Sequence, residues 1–200
     1  MARMDDAVKV QTQQDILLKI RNSIINNQSE LVAAKGRGFP MAIAWLTRNL
    51  LELSIWAEYC RASVENAERF TLDVARDAYD ALDIPDEVLS RTFSTKPLRE
   101  ELLEKSKADG IDIEASYTRV SAAAKVLGQH RQLMFKHMNK TLSKLAHPTA
   151  FAIVTSGSDQ EVVLASAYYN VGQFLANVGL IFTDLNTPVA NPYADHEALT

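Results

Sequence analysis

Apolar residues recur at intervals of three and four residues along almost the whole sequence, and this spacing constrains the fold more than any other feature. Residues three or four apart share one face of an α-helix, whereas a half-buried strand alternates strictly between apolar and polar residues. No alternation extends far enough to form a strand. Only 7 glycines and 6 prolines occur in 200 residues, so turns are few and the elements are long. The sequence therefore predicts an all-α fold.

The breaks in this pattern predict a single-domain bundle of about five or six helices over residues 1–185, with a loose C-terminal tail over residues 186–200. Shorter helical pieces are expected between Pro85 and Lys107, and Gly128 is expected to kink a long helix that stops at Pro148. Ser63 and Asp159 are predicted N-caps. The predicted long helices cover about Asp5–Gln28, Pro40–Cys60, Val64–Leu82, Ile113–Ala146 and Asp159–Leu185.

The composition indicates a folded chain of the reducing cytoplasm. Lysine and arginine number 21 against 25 acidic residues, a formal charge of −4 that is ordinary for a globular protein. The longest apolar run, Met41–Leu46, is only six residues long, so no membrane-spanning or secretory segment is expected. The lone Cys60 cannot form an internal disulfide, and its place in a helical pattern favours a packed thiol over a nucleophile.

Basic residues are concentrated in one segment, since residues Ala115–Ser158 include no acidic residue but six lysines and arginines. On a helix, Arg131 lies near the apolar side, whereas the polar side holds Lys125, Lys136, Lys140, Ser143, Lys144 and His147. Such a face attracts anions, including the phosphates of nucleic acids. It is also typical of a solvated face whose charge is balanced by acidic residues on other helices.

Arg48 and Glu52 are unusual because they fall on the apolar stripe of the helix predicted over Pro40–Cys60. This stripe holds Met41, Trp45, Ile55, Trp56 and Tyr59, whereas the polar side holds Thr47, Ser54 and Glu58. Charges that point inward are costly unless they are paired or hydrogen-bonded. We therefore expect Arg48 and Glu52 either to line a cleft that binds a ligand or to form an ion pair that fixes helix packing.

No metal site and no nucleotide-cofactor site is predicted. His130 and His137 are about 10 Å apart along one helix, which is too far for both to bind one metal ion. The sequence contains no Glu-x-x-His pair, no P-loop and no Gly-x-Gly-x-x-Gly motif. We therefore expect no cofactor.

Two segments, Arg48–Cys60 and Leu142–Ala150, resemble a group of bacterial all-helical proteins that are distantly similar to the HEPN superfamily. Many HEPN members are RNA-binding bundles or metal-independent RNases, and many form dimers. Their signature is an Arg, commonly followed by Asn, and then a His after a gap of four to six residues. His147 matches the signature His, whereas Leu142 stands in place of the Arg and Ser143 in place of the Asn.

The resemblance implies a cytoplasmic HEPN-like homodimer that binds RNA or another anionic ligand and lacks robust catalysis because the signature Arg is missing. His147 is the candidate base for the ribose 2′-hydroxyl. Its alternative role is to cap the end of its helix. The candidate binding residues are Arg48, Glu52, Lys136, Lys140, Ser143 and Lys144. The alternative function is a non-enzymatic helical protein–protein interaction module in which the polar cluster is structural.

Overall fold

The computed structural model describes residues 6–82, 94–108, 110–112, 118–147, 149–186 and 188. Within these residues the secondary structure is helical with no strand, which confirms the predicted all-α class. The described residues form eight helices, more than the five or six predicted. The helices are α1 (Asp6–Arg37), α2 (Pro40–Ala62), α3 (Val64–Ala81), α4 (Lys96–Ala108), α5 (Val120–Val126), α6 (Gln129–Ala146), α7 (Ala150–Thr155) and α8 (Asp159–Thr183). The predicted stop at Pro148 and nearly all of the predicted tail lie outside the described residues.

Two glycines explain where helices end differently from the prediction. Helix α1 continues past its predicted end at Gln28 to Arg37, and Gly38 follows it with a φ of 67°. Gly128 has a φ of 116° and separates α5 from α6, so the predicted kink is a full break. Such positive φ values suit glycine because it has no Cβ. The break also places Lys125 on α5, apart from the lysines of α6.

The predicted helix caps are right in one case and displaced by one residue in the other. The Ser63 hydroxyl accepts a hydrogen bond from the backbone N–H of Asn66 at 3.1 Å, so Ser63 caps α3 as predicted. Helix α8 is capped by Ser158 rather than by Asp159, because the Ser158 hydroxyl accepts from the backbone N–H of Glu161 at 3.3 Å.

Helix α2 is the central element of the bundle and contacts α1, α3, α5, α6 and α8. Leu50, Leu51 and Ile55 are fully buried within it. Thr47 and Ser54 are buried as well, so the predicted polar side of α2 is wrong. Their hydroxyls donate to the backbone carbonyls of Tyr168 and Leu51 respectively, at 3.0 and 2.8 Å. These hydrogen bonds offset the cost of burying the two hydroxyls.

Close packing of α8 on α1 and α2 depends on two glycines seven residues apart, Gly172 and Gly179. A Cβ at Gly172 would lie 2.6 Å from Cδ2 of Leu31 and 2.8 Å from Oγ1 of Thr47. A Cβ at Gly179 would lie 2.7 Å from Cδ1 of Ile24. A side chain at either position would therefore force these neighbours to shift.

Helices α2 and α6 run in opposite directions where they pack together. Glu58 near the end of α2 contacts Arg131 near the start of α6, whereas Arg48 contacts Asn139 farther along α6. This pairing brings the start of α2 next to the end of α6. Across the described parts of the chain, none of the helices has the length and apolar character that crossing a membrane requires.

Candidate functional site

Arg48 and Glu52 are partly exposed on α2, so their expected inward orientation is only partial. Their side chains keep 28% and 33% of their accessible surface, and Nε of Arg48 lies 3.4 Å from Oε1 of Glu52. Met41 and Trp45, which were expected to share a buried stripe with them, are about half exposed. The predicted helical phase is therefore wrong for the first half of α2, because this helix buries its hydroxyl-bearing side instead.

Two contacts join Arg48 to α6. Its Nε donates to Oδ1 of Asn139 at 2.8 Å, and its Nη1 lies 3.1 Å from Nε2 of His147. The structure thus brings Arg48, Glu52 and His147 together. Asn139 was not predicted as a site residue, although it lies four positions before Ser143 on the same face of α6.

The contact between Arg48 and His147 engages Nε2 of the imidazole. A guanidinium has five N–H donors and no acceptor, so Nε2 of His147 must accept this hydrogen bond. Among the described residues Arg48 uses Nε–H and one N–H of Nη1, which leaves its other donors for an oxyanion.

Three exposed lysines form a basic face on the outer side of α6: Lys136, Lys140 and Lys144. Leu142 and Leu145 on the opposite side are buried, in agreement with the predicted arc. The hydroxyl of Ser143 donates to the backbone carbonyl of Asn139 at 2.6 Å. Ser143 therefore uses its hydroxyl hydrogen within α6 and offers a ligand only the lone pairs of its oxygen.

His147 directly follows α6 and is exposed. The predicted alternative was that its ring caps the free carbonyls at the end of this helix. One of those carbonyls, that of Lys144, instead accepts from the hydroxyl of Thr149 at 2.6 Å. The imidazole of His147 reaches across to Arg48 on α2.

A cleft of about 720 Å³ opens beside Arg48 between α2, α3, α5 and α6, and we call it the aromatic cleft. It is lined by three aromatic residues, Trp56, Phe70 and Phe135, and by five charged residues, Arg48, Glu52, Asp73, Asp77 and Arg119. Its volume falls within the range of about 300–1,000 Å³ that is typical of small-ligand sites.

A smaller cavity of about 310 Å³ adjoins the aromatic cleft on the side of the basic face. Lys136 and Lys140 line it, and it shares Ser121, Phe135 and Asn139 with the aromatic cleft. His147 is not among the described residues that line either cavity, and it approaches them only through Arg48. A ligand that extends over both cavities would meet two guanidinium groups, those of Arg48 and Arg119, and two ammonium groups.

The carboxylates of α3 make the aromatic cleft mixed in charge rather than basic. Burial raises the pKa of Asp73. The backbone N–H of Thr118 donates to Oδ2 at 3.1 Å, and this hydrogen bond has the smaller, opposite effect of lowering the pKa. Burial also raises the pKa of Asp77, and the neighbouring carboxylate of Asp80 raises it further. Charged groups that are poorly stabilised within a cleft are candidates for ligand contacts. Asp73, Asp77 and Arg119 were not predicted as site residues, because only the tertiary fold brings their segments to α2.

A second ion pair joins α2 to α6 inside the bundle. Nε of Arg131 lies 2.9 Å from Oε2 of Glu58 and 3.1 Å from Oε1, and the two side chains are only 8% and 15% exposed. Burial raises the pKa of Glu58, while the hydrogen bond and positive charge of Arg131 lower it. Glu58 was expected on the polar side of α2, and its pairing with Arg131 was not predicted.

Cys60 is buried, and burial raises the pKa of its thiol to about 12. The thiol therefore stays protonated and packs as an apolar group, in agreement with the sequence-based expectation.

Among the described residues, no three His, Cys, Asp or Glu side chains come together in a group that could hold a metal ion. Comparison of this chain with protein-family models, curated proteins and solved structures finds no match. What the protein binds must therefore be inferred from Arg48, its partners on α6 and the aromatic cleft.

Proposed function

We propose that this chain is an HEPN-like helical protein that binds single-stranded RNA where α2 meets α6, without robust cleavage. The observation that carries the proposal is the contact of Arg48 with Asn139 and His147 beside the basic face. A guanidinium presents a planar fork of donors that fits two oxygens of a phosphate. The exposed lysines of the same helix attract further phosphates of a strand.

The same contact supports binding without turnover. A base for the ribose 2′-hydroxyl needs a free lone pair, and the lone pair on Nε2 of His147 is engaged by Arg48. The signature Arg of the HEPN pattern falls at Leu142, whose side chain is 2% exposed and faces the core. Loss of one oriented charge at a transition state typically lowers the rate by roughly 10²–10³.

Glu52 is expected to limit the affinity of Arg48 for anions, because its carboxylate lies 3.4 Å from the guanidinium. A partly exposed ion pair contributes about 0.2–1 kcal/mol. Glu52→Gln should therefore raise RNA affinity by up to about fivefold. Arg48→Lys should lower it, since one ammonium group cannot hold Asn139 and His147 in the geometry of the guanidinium fork.

Fluorescence anisotropy of a labelled single-stranded RNA, measured over a range of salt concentrations, tests the proposal. The test variant carries Lys136→Glu, Lys140→Glu and Lys144→Glu. The matched control carries Lys19→Glu, Arg21→Glu and Arg37→Glu, three equivalent charge reversals at exposed positions of α1. Each phosphate contact contributes about 0.7 to the magnitude of the slope of log affinity against log salt concentration. Loss of three contacts in the test variant should therefore decrease that magnitude by about 2.

Two results would overturn the proposal. One is the absence of RNA binding by the wild-type protein at low salt. The other is an equal loss of affinity in the α1 control, which would show that only the net charge matters. Circular dichroism of both variants should match that of the wild-type protein, because all six positions are exposed.

A second candidate function, a homodimeric interaction module, is favoured by the apolar surface at the α7–α8 corner. Five large apolar side chains are exposed there, from 41% for Phe151 to 82% for Val154: Phe151, Ile153, Val154, Val162 and Val163. Exposed apolar clusters of this kind often mark protein–protein interfaces. Sedimentation equilibrium of the wild-type protein beside Val154→Lys and Val163→Lys tests this candidate. A wild-type monomer would exclude the homodimer.

A further inference from the structure

We infer that the aromatic cleft receives one nucleobase of the bound strand and selects guanine. This inference rests on the proposed function, because it assigns a role to the cavity next to the phosphate-binding residues. The base would enter the cleft while its phosphates stay near Arg48 and the basic face.

The charges of the cleft favour a base over a phosphate as its occupant. Three carboxylates line it, those of Glu52, Asp73 and Asp77, against the guanidiniums of Arg48 and Arg119. A phosphate inside the cleft would therefore face repulsion from α3. A neutral group that carries N–H donors would instead satisfy carboxylate oxygens, which accept hydrogen bonds only.

The aromatic residues provide apolar surface for the flat face of a base. Trp56 and Phe70 are each only partly buried, and their ring centroids lie 4.8 Å apart with planes inclined at 56°. Phe135 contributes a third ring from α6. Unpaired bases of RNA are commonly held by stacking on such rings and by hydrogen bonds to their Watson–Crick edges.

The spacing of residues along α2 separates the base from its phosphate. Arg48, Glu52 and Trp56 line the cleft one helical turn apart, so Arg48 and Trp56 are separated by about 12 Å along the helix axis. A base packed near Trp56 therefore leaves the sugar and phosphate directed toward Arg48. The smaller cavity lined by Lys136 and Lys140 continues this path for the neighbouring phosphate.

The carboxylates select among the bases by the donors that each base presents. Guanine carries two adjacent donors, N1–H and the N2 amino group, which match the two oxygens of one carboxylate. Uracil presents a single N–H between two carbonyl oxygens, and these oxygens would be repelled by a carboxylate. Asp73 is oriented by the backbone N–H of Thr118, which donates to Oδ2 at 3.1 Å. We therefore expect guanine to bind best and uracil worst.

Competition between short RNA strands tests the inference. A heptamer of uridine is compared with the same heptamer carrying guanosine at its centre, and the guanosine strand should bind about tenfold more tightly. Asp73→Asn combined with Asp77→Asn should reduce this preference to less than about twofold. Asp80→Asn is the matched control on α3, because Asp80 is paired with Arg76 and does not line the cleft.

Tryptophan fluorescence locates the base. The chain has two tryptophans, and Trp45→Phe leaves Trp56 in the cleft wall as the only tryptophan. Guanosine monophosphate should quench this emission more strongly and at lower concentration than uridine monophosphate. Phe70→Leu keeps an apolar side chain but removes one ring. It should lower the affinity for both heptamers by about fivefold or more.

The outcomes separate this inference from the proposed function. RNA binding with equal affinity for both heptamers, or a guanine preference that survives the paired Asp73 and Asp77 changes, overturns the base pocket and leaves the phosphate-binding surface in place. Quenching of Trp56 by guanosine monophosphate without any binding of RNA strands would instead overturn the proposed function and retain the pocket.

Discussion

The buried pair of Arg131 and Glu58 gives the sharpest prediction for the energetics of the bundle. Arg131→Met removes the guanidinium and leaves the Glu58 carboxylate without its partner at 2.9 Å, in a place where only 15% of the side chain is exposed. Removing one member of a buried ion pair typically costs about 3–5 kcal/mol, because the remaining charge is left uncompensated. Since Glu58 keeps some contact with water, we expect a loss of about 3 kcal/mol.

The loss should depend on pH in a defined direction. Burial already raises the pKa of Glu58 above its ordinary value of 4.5, and removing Arg131, which lowers the pKa, raises it further. When folding raises the pKa of a carboxyl group, the protonated form is favoured in the folded state. This favours folding at a pH below the pKa of the unfolded chain, and the advantage is lost as the pH rises through the pKa of the folded state. The loss of stability caused by Arg131→Met should therefore be small below pH 4.5 and should grow as the pH rises toward neutrality.

Chemical denaturation followed by circular dichroism measures the deficit, with Glu52→Ala as a control on the partly exposed pair. That control should cost only about 0.2–1 kcal/mol. The double change Glu58→Leu with Arg131→Met should recover most of the loss, because it leaves no buried charge. An Arg131→Met midpoint and slope equal to those of the wild-type protein at neutral pH would mean that this pair is solvated and that the α2–α6 packing described above is wrong.

Three further predictions concern packing, the cleft and catalysis. Gly172→Ala should cost about 1–3 kcal/mol in denaturation experiments because its Cβ would lie 2.6 Å from Leu31, whereas Gly36→Ala, with open space around it, should be neutral or stabilising. Asp77→Asn should stabilise the protein at neutral pH, because burial disfavours the charged carboxylate of the wild-type residue. This advantage should disappear below pH 3.8, where the wild-type carboxyl group is protonated in both the folded and the unfolded state. Equal stability of the variant and the wild-type protein at neutral pH would contradict this prediction. Labelled RNA incubated with the protein in EDTA should remain intact, and efficient cleavage that is lost in His147→Ala would show that His147 is a working base.

The fold class could be predicted from the sequence because helical spacing is a local property. Each helix places its apolar residues at intervals of three and four, whatever its neighbours are. The helix boundaries were harder to predict, since α1 passes beyond its expected end at Gln28 and stops only at Gly38. Polar residues alone do not end a helix, whereas a glycine with positive φ does.

The orientation of α2 could not be predicted, because its sides do not follow polarity. The exposed side carries Met41 and Trp45, whereas Thr47 and Ser54 are buried with their hydroxyls bonded to backbone carbonyls. Helix α6 has a free outer side, and there the predicted basic face and the opposing arc of Leu142 and Leu145 agree with the structure.

The contacts that build the site lie between helices, and no spacing within one helix encodes them. Nothing in the sequence distinguishes Asn139 from other polar residues of α6. Its role follows only from the fold, in which its Oδ1 lies 2.8 Å from Nε of Arg48. Asp73 and Asp77 gain their significance only when α3 packs beside α2 and encloses the cleft. Residues on the two helices that meet could therefore be predicted from the sequence, but the groups that complete the cavity between them could not.

The two polar links between α2 and α6 depend on each other through the geometry of the helices. Glu58 and Arg48 are about 15 Å apart along α2, and Arg131 and Asn139 are about 12 Å apart along α6. Because the helices run in opposite directions, the buried pair fixes which residues of α6 Arg48 can reach. A sliding of α6 by one turn, about 5.4 Å, would separate Arg48 from both Asn139 and His147. Arg131 and Glu58 therefore position the proposed RNA site although they lie outside it.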